Sequence, residues 1–390
     1  MAFSLAAIIL LGLLANKLFT KIKLPGLLGM LLLGVLIGPY GLNYIDDSLM
    51  NISADLRKIA LIVILLRAGL GIKRDELNKV GRAAFRLCFI PGVFEGVTII
   101  IFSHMVLGFT IIEAGILGFI IAAVSPAVVV PQMLKFIEEG KGKEKAIPTI
   151  MLAGVSVDDV VAITIFSAFL GMYGNEGVSF SIQLLKIPIS IATGIILGII
   201  TATLFLHLFN KYSIRHTKKA LMLIGAAIIM TTLEDVLQPI LPIASLLGVM
   251  TIGFILLERK PKLAEGLASK YNKIWVFAEL LLFVLVGAQV NIYVAFDAGM
   301  IGLIIILLGL TARSIGVFLS LVGTNLNLKE KLFCIMAYTP KATVQAAIGA
   351  IPMAAGVPQG ELILALAVLS IIITAPLGAI GIKYAGEKFL

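Results

Sequence analysis

The chain has little of what soluble enzymes use for chemistry. Charged residues make up only 14 % of it, against roughly 25 % in a typical soluble domain. It has two cysteines and three histidines, none at metal-ligand spacing, so a zinc site is not expected. Cys88 and Cys334 lie in apolar stretches, which predicts packed thiols. A glycine-rich phosphate-binding loop is also absent, which disfavours a nucleotide-dependent enzyme.

Apolar residues are abundant instead, at 60 % of the 390 residues. They form runs comparable to the roughly 20 residues that cross a bilayer, separated by short polar connections. The first run, at 3–14, has no basic region before it and is interpreted as a retained span rather than a cleaved signal. We therefore predict an all-α polytopic membrane protein with about thirteen transmembrane helices, at 2–16, 25–42, 56–72, 87–107, 112–134, 147–171, 183–209, 218–236, 241–257, 274–291, 299–322, 332–353 and 361–382.

Lysine and arginine are distributed unevenly between the connections. Of the 31, 25 lie in the connections on one side of the predicted membrane, and three more, Arg67, Arg313 and Lys341, lie inside spans. Because cytoplasmic connections hold the excess of basic residues, we expect the N-terminus outside and the C-terminus inside, in the cytoplasmic (plasma) membrane. The net charge of +9 then reflects orientation, and no nucleic-acid partner is expected.

Two adjacent carboxylates, Asp158 and Asp159, lie near the middle of an otherwise uncharged run at 146–175. An ionised Asp at the centre of a transmembrane helix costs about 2.5 to 3.5 kcal/mol on insertion scales. Charged residues at this depth face the interior of the protein and mark ion pathways or proton relays. The pair is therefore the first candidate for a functional site.

Two predicted spans contain a proline directly after a hydroxyl residue, and we predict a break in the helix at each. The fifth has Ser125 followed by Pro126, and the twelfth has Thr339 followed by Pro340. Proline lacks an amide donor and disfavours helical geometry in the residue before it. Unwound backbone at membrane depth is tolerated only where it is buried in protein or lines a cavity. Each break therefore indicates a candidate binding region.

The two breaks are related by position. Pro126 and Pro340 are 214 residues and seven predicted spans apart, and an odd number of spans means that the two copies cross in opposite directions. Interrupted segments at matching places in two halves are typical of inverted-repeat transporters. We predict four regions, namely scaffold and dimerisation helices 1–3 at 1–86, core repeat 1 at 87–172, linker and scaffold helices 7–10 at 173–298, and core repeat 2 at 299–390.

Three further charges fall inside the predicted core repeats. Glu95 and Arg313 are 218 residues apart, so they occupy nearly equivalent places in the two repeats. A charge at this depth needs a partner, and we expect Arg313 to pair with either Glu95 or Asp158. Lys341 follows the second break proline directly. A cation there is expected to compensate the partial negative charge at the C-terminal end of a half-helix.

On these residues the chain resembles the monovalent cation/proton antiporters of the NhaA and NapA type, and most closely the NHA branch. The likeness covers nearly the whole chain and is most specific at Val157-Asp158-Asp159 and at 340–350, PKATVQAAIGA. It implies an NhaA-like fold with inverted repeats, in which spans five and twelve are crossing discontinuous helices. It further implies that Asp159 binds the cation and the proton, that Asp158 is its partner, and that the protein is a homodimer in membrane lipid.

The predicted mechanism is competition between a metal cation and a proton. A hard monovalent cation prefers oxygen ligands, which Asp158, Asp159, the Ser125 hydroxyl and carbonyls of the breaks can supply. A proton binds the same carboxylate, so one ion excludes the other. Without any cofactor, the chain would then exchange Na⁺ or Li⁺ for H⁺. Many electrogenic relatives have a lysine where this chain has Arg313, and an arginine does not release a proton.

Other transport classes share these motifs and remain as alternatives. A K⁺/H⁺ exchanger of the same superfamily would show the same pattern, and a sodium-coupled organic-anion symporter has a related inverted-repeat fold. A channel would line a continuous pore with the carboxylates. An intramembrane aspartyl protease is disfavoured, because it needs aspartates on two facing spans and a Gly-x-Gly-Asp sequence, which this chain lacks.

Overall fold

A computed structural model describes residues 1–22, 24–71, 74–173, 180–237, 241, 243–297 and 299–390. Lys23 and Lys73, which belong to the predicted basic connections, lie outside these residues, as does Ala298 at the end of the third predicted region. In the described parts of the chain the regular structure is entirely helical. The helices are α1 (Ala2–Lys21), α2 (Gly26–Ile37), α3 (Asp47–Asn51), α4 (Ser53–Gly69), α5 (Arg74–Leu107), α6 (Ile111–Ile121), α7 (Pro126–Glu138), α8 (Ile147–Met172), α9 (Phe180–Lys211), α10 (His216–Leu237), α11 (Ser245–Arg259), α12 (Pro261–Ala288), α13 (Ile292–Asp297), α14 (Gly299–Ser320), α15 (Leu328–Ala337), α16 (Thr343–Ile348), α17 (Ile351–Ala354) and α18 (Gly360–Phe389).

Several of these helices can span a bilayer, where a helix satisfies its own backbone groups without water. Among the described residues, seven helical segments are long and apolar enough, at Ala2–Lys21, Ala83–Leu107, Ile147–Met172, Pro188–Lys211, Pro261–Ala288, Gly299–Ser320 and Gly360–Phe389. Many large apolar side chains on them face outward, including Phe3, Leu10 and Leu204. An apolar exterior of this kind fits lipid as the surrounding solvent.

Two helices begin earlier than the apolar runs predict. Helix α5 starts at Arg74 rather than near 87, and α12 starts at Pro261 rather than near 274. The added segments are rich in Lys, Arg, Glu, Leu and Ala, which favour helix as strongly as apolar residues do. A hydropathy pattern detects only the part of a helix that enters the bilayer. The boundary predicted between 86 and 87 therefore falls inside one continuous helix.

Both of the predicted breaks interrupt helical structure. Helix α6 ends at Ile121 and α7 begins at Pro126, with Ser125 as its N-cap residue. Helix α15 ends at Ala337 and α16 begins at Thr343, leaving Pro340 in the gap. Proline is well placed at the first position of α7, because its missing N–H would have no partner there in any case.

The half-helices that precede the two breaks start in the same way. At the start of α6, the amide of Glu113 donates to Thr110 Oγ1 at 3.2 Å, and the amide of Thr110 donates to Glu113 Oε2 at 2.9 Å. Asn327 and Glu330 exchange the same two hydrogen bonds, at 2.9 and 2.6 Å, at the start of α15. Such reciprocal capping boxes satisfy two amides that a helix start leaves without partners.

Two groups of helices pack closely. One contains α5, α6, α8 and α14, and the other contains α1, α2, α4, α9, α11 and α12. Close packing in the second group depends on glycine at helix crossings. A Cβ added at Gly69 would collide with the carbonyl of Met250, and one added at Gly287 would collide with the carbonyl of Leu31. Small residues at crossings allow helix backbones to approach closely in a membrane.

Candidate functional site

The two breaks contact each other directly. The amide of Ser125 in the first donates to the carbonyl of Pro340 in the second at 2.8 Å. The hydroxyls of Ser125 and Thr343 lie 3.4 Å apart, and both residues are buried. Segments from distant parts of the chain thus meet where their backbones are unwound. Pro126 is partly buried beside this contact as the first residue of α7.

Carbonyls at the end of α6 are satisfied from the second break. The side-chain amide of Gln345 donates to Ile120 O at 2.9 Å and to Ala123 O at 2.8 Å. Gln345 is fully buried on α16. The last carbonyls of a helix have no partner within it and hold its partial negative charge. Gln345, on α16, therefore supplies hydrogen-bond donors to the end of the first half-helix.

Arg313 on α14 donates to one backbone carbonyl beside each break. Its Nε donates to Tyr338 O at 2.8 Å, and its Nη1 also contacts Ala122 O. We expected Lys341 to compensate the charge at a half-helix end, and the structure gives its ammonium a carboxylate as hydrogen-bond partner. The Lys341 ammonium donates to Glu95 Oε2 at 2.6 Å, while its own amide donates to Thr374 Oγ1 at 2.8 Å. A planar guanidinium with five donors suits several carbonyls better than a point charge does.

Four buried charges form a continuous cluster around Arg313. Glu95 Oε2 accepts from Arg313 Nη1 at 2.6 Å as well as from Lys341. Arg313 Nη2 donates to Asp158 Oδ2 at 2.5 Å. The two expected alternatives for Arg313, Glu95 and Asp158, are thus both present. Each side chain of this four-charge cluster is at most 1 % exposed. Two acids and two bases sum to zero, which is the condition under which buried charges are tolerated.

Asp158 is held in place by more than the guanidinium. Its Oδ2 also accepts from the amide of Val124, in the gap between α6 and α7, at 3.2 Å. On α5, Gly92 leaves room for it, since an added Cβ would lie 3.1 Å from Asp158 Oδ1. Asp158 therefore links α8 to the first break and, through Arg313, to the second.

Asp159 has a different environment from its neighbour. It is 7 % exposed, and although the Oδ1 atoms of both aspartates lack a hydrogen-bond partner among the described residues, only Asp158 has a cation beside its Oδ2. No lysine or arginine whose side chain the structure describes forms a salt bridge with it. Since the four-charge cluster is already neutral, an ionised Asp159 adds one uncompensated negative charge. A buried carboxylate in that position requires a cation or a proton.

Sequence reasoning missed the role of Gln345. The signal available was a lone amide side chain inside an apolar broken span, two residues after a hydroxyl residue. Polar side chains in such spans hydrogen-bond to other helices or to backbone. Its acceptors, however, lie more than 220 residues away in sequence. The pattern therefore indicates that Gln345 needs a partner and does not identify which one.

Comparisons with known proteins extend over nearly the whole chain. A family model described as sodium/hydrogen exchanger, transmembrane, matches residues 5–387. Sodium/hydrogen exchanger 9B2 of Xenopus tropicalis is 34 % identical over 419 residues, covering 100 % of this chain and 75 % of that protein. Sodium/hydrogen exchanger 9B1 of Homo sapiens is 31 % identical over 395 residues, covering 94 % and 73 %. The structure of the sodium proton antiporter MjNhaP1 from Methanocaldococcus jannaschii matches with a TM-score of 0.85 at 23 % identity, covering 99 % of this chain and 97 % of that one, which is a likeness of fold.

Proposed function

The chain belongs to the sodium/hydrogen exchanger family, and we propose that it exchanges Na⁺ or Li⁺ for H⁺ by alternating access at Asp159. As a family member it is an integral, multi-pass secondary transporter of the cation/proton antiport class, and not an enzyme. Na⁺ and H⁺ are the expected transported species, and the exchange needs no cofactor. The proposed setting is the plasma membrane, with the N-terminus outside and the C-terminus inside.

The observation that supports this proposal most directly is the charge balance around Asp159. Glu95, Arg313, Lys341 and Asp158 neutralise one another through contacts of 2.5 to 2.6 Å. Asp159 lies next to this neutral cluster, and its charge is the one that an incoming ion can neutralise. A metal cation and a proton both do so, and they compete for the same oxygens. Ser125 and Asp158 are the further oxygen ligands that we propose for the metal cation.

The same balance favours one proton per cation. Arg313 does not release a proton in a protein, and both cations of the four-charge cluster are paired with a buried carboxylate. Only Asp159 then changes its occupant during a cycle. An exchange of one cation for one proton moves no net charge across the membrane.

In the proposed cycle, the two core repeats, 87–172 and 299–390, move against a scaffold formed by 1–86 and 173–298. Together these regions form the thirteen predicted spans. Similar sequence offsets between equivalent features support an inverted repeat, although the break prolines, 214 residues apart, are slightly closer in sequence than the pairs that follow. The pairs Glu95–Arg313 and Ser125–Thr343 are each 218 residues apart, and the capping residues Thr110 and Asn327 are 217 apart. Crossing of the broken helices is supported by the hydrogen bond between Ser125 and Pro340. By resemblance to the family, we propose that the protein is a homodimer in lipid.

Proteoliposomes that contain a pH-sensitive dye test the exchange and its site together. Adding Na⁺, Li⁺ or K⁺ in turn to acid-loaded vesicles should alkalinise the interior, and Na⁺ or Li⁺ should be the effective ions. Asp159→Asn should abolish the signal while the protein keeps its fold. Asp47→Asn, which removes an exposed carboxylate, is the matched control. Exchange retained by Asp159→Asn would refute the site, and a response to K⁺ alone would establish the K⁺/H⁺ alternative.

A further inference from the structure

A small cavity, lined mostly by apolar atoms but with several oxygen-bearing side chains, lies between the two helix groups and includes no residue of the four-charge cluster. It is lined by α4, α8, α10 and α11, and has a volume of about 10 Å³, close to what one water-sized sphere needs. Its lining in the described chain is Leu65, Ile163, Thr164, Ser167, Glu234 and the first turn of α11 at 244–247. The proposed exchange at Asp159 makes no use of this cavity.

The cavity lies along the same helix as Asp159. Ile163 and Ser167 follow Asp159 by four and eight residues on α8, which places all three on one face of the helix. The cavity is therefore about 6 to 12 Å from Asp159 along the helix axis. It lies toward the end of α8 at Met172, opposite the end that follows the basic segment at 139–145. In the proposed orientation this direction leads to the outer side.

The chemistry of the lining suits a monovalent cation. Glu234 contributes a carboxylate, and Thr164, Ser167 and Ser245 contribute hydroxyls. Hard cations prefer oxygen ligands of this kind. The Ser245 hydroxyl donates to Glu234 Oε2, and Ser245 is fully buried. This hydrogen bond also anchors the first turn of α11, so an experiment must separate a structural role from an ionic one.

We propose that this cavity is a staging site for the transported cation on the outer side of Asp159, with Glu234 as its anionic ligand. The proposal rests on the proposed function, because it presupposes cation exchange at Asp159. The cavity lies where α8, a core helix, faces the scaffold helices α4, α10 and α11. A carboxylate there raises the local cation concentration next to the exchange site. It acts only on ions that enter from the outer side, because ions from the cytoplasm reach Asp159 from the opposite end of α8.

The test compares Glu234→Gln with the unaltered protein in right-side-out and everted membrane vesicles. Each vesicle type gives the apparent KM for added NaCl or LiCl on one face. We expect Glu234→Gln to raise the apparent KM on the outer face about tenfold, the effect of losing a focusing charge in a cleft, with the maximal rate unchanged. The apparent KM on the cytoplasmic face should not change. Glu234→Asp should retain most of the outer affinity.

Two controls make each outcome decisive. Asp55→Asn removes an exposed carboxylate from α4, outside the cavity lining, and should leave both KM values unchanged. An outer KM that stays constant in Glu234→Gln, or that rises equally on both faces, overturns the staging site. If Glu234→Gln does not reach the membrane, Ser245→Ala replaces it, and an unaltered outer KM in that variant overturns the proposal. Failure of the proposed function would look different, since the unaltered protein would then show no exchange or Asp159→Asn would retain it.

Discussion

Asp158 and Asp159 are adjacent on α8, but the protein surrounds them differently. Asp158 accepts from Arg313 at 2.5 Å and from the Val124 amide at 3.2 Å, inside a cluster whose charges cancel. Asp159 has no such donor among the described residues, and when ionised it adds a negative charge to a cluster that is already neutral. Two adjacent residues of one sequence motif therefore have different surroundings. Asp158 links the two breaks, and Asp159 is the carboxylate that we propose for exchange.

The strongest test of this separation is Arg313→Ala. Removing the guanidinium leaves Asp158 without its cation, and leaves the carbonyls of Tyr338 and Ala122 without a donor. Breaking a buried ion pair by removing one partner costs about 3 to 5 kcal/mol. We expect a large fall in the thermal midpoint of the detergent-solubilised protein. Arg86→Ala is the control. Arg86, on α5, also donates to a backbone carbonyl, that of Val322, but its side chain is exposed, so its loss should cost much less stability. Equal losses in the two variants would contradict the role of the four-charge cluster.

Substituting each aspartate by asparagine compares the two positions directly. Asp158→Asn weakens a charged hydrogen bond to Arg313 and should cost about 1.5 to 3 kcal/mol of stability. Asp159→Asn removes an uncompensated buried charge and should leave stability unchanged or raised. Thermal melts of both variants at one pH provide the measurement. A larger loss for Asp159→Asn than for Asp158→Asn would reverse our assignment of the structural and exchanging carboxylates.

The third largest expected effect is that of Gln345→Leu. This change leaves the carbonyls of Ile120 and Ala123 without their side-chain donor at the end of α6, and a buried unsatisfied polar group costs about 1 to 3 kcal/mol. Gln132→Leu is the matched control, because Gln132 donates to a single carbonyl, that of Ala379, and is only partly buried. Its loss should be smaller. If the two variants have the same thermal midpoint, Gln345 does not stabilise the end of the first half-helix.

The sequence alone predicts the features that conflict with an apolar surrounding. Two adjacent aspartates stand out inside an uncharged run, and two prolines that follow hydroxyl residues stand out inside predicted spans, because lipid disfavours the charges and helix geometry disfavours the prolines. The same reasoning predicts Glu95 or Asp158 as the partner of Arg313, since few other charges lie at that depth. That it binds both depends on how α5, α8 and α14 pack, and no spacing in the sequence encodes that arrangement. Likewise, the start of α5 at Arg74 follows from helix propensity, which hydropathy does not measure.

The smallest expected effect is the response of exchange to membrane voltage. If Asp159 alone changes its occupant while Glu95, Arg313, Lys341 and Asp158 stay neutralised, each cycle moves one cation against one proton and no net charge. A potential of about 100 mV imposed with K⁺ and valinomycin should then leave the rate unaltered in proteoliposomes. Two protons per cation would instead move one net charge in each cycle. A potential of 100 mV would then contribute about 2.3 kcal/mol and accelerate or slow the exchange according to its sign.

Because valinomycin interferes with K⁺, the measurement uses Na⁺ or Li⁺ as the exchanged cation. A voltage-dependent rate would show that a second group, with Lys341 as the candidate, takes part in proton exchange, and the division between a fixed cluster and a single exchanging carboxylate would have to be redrawn.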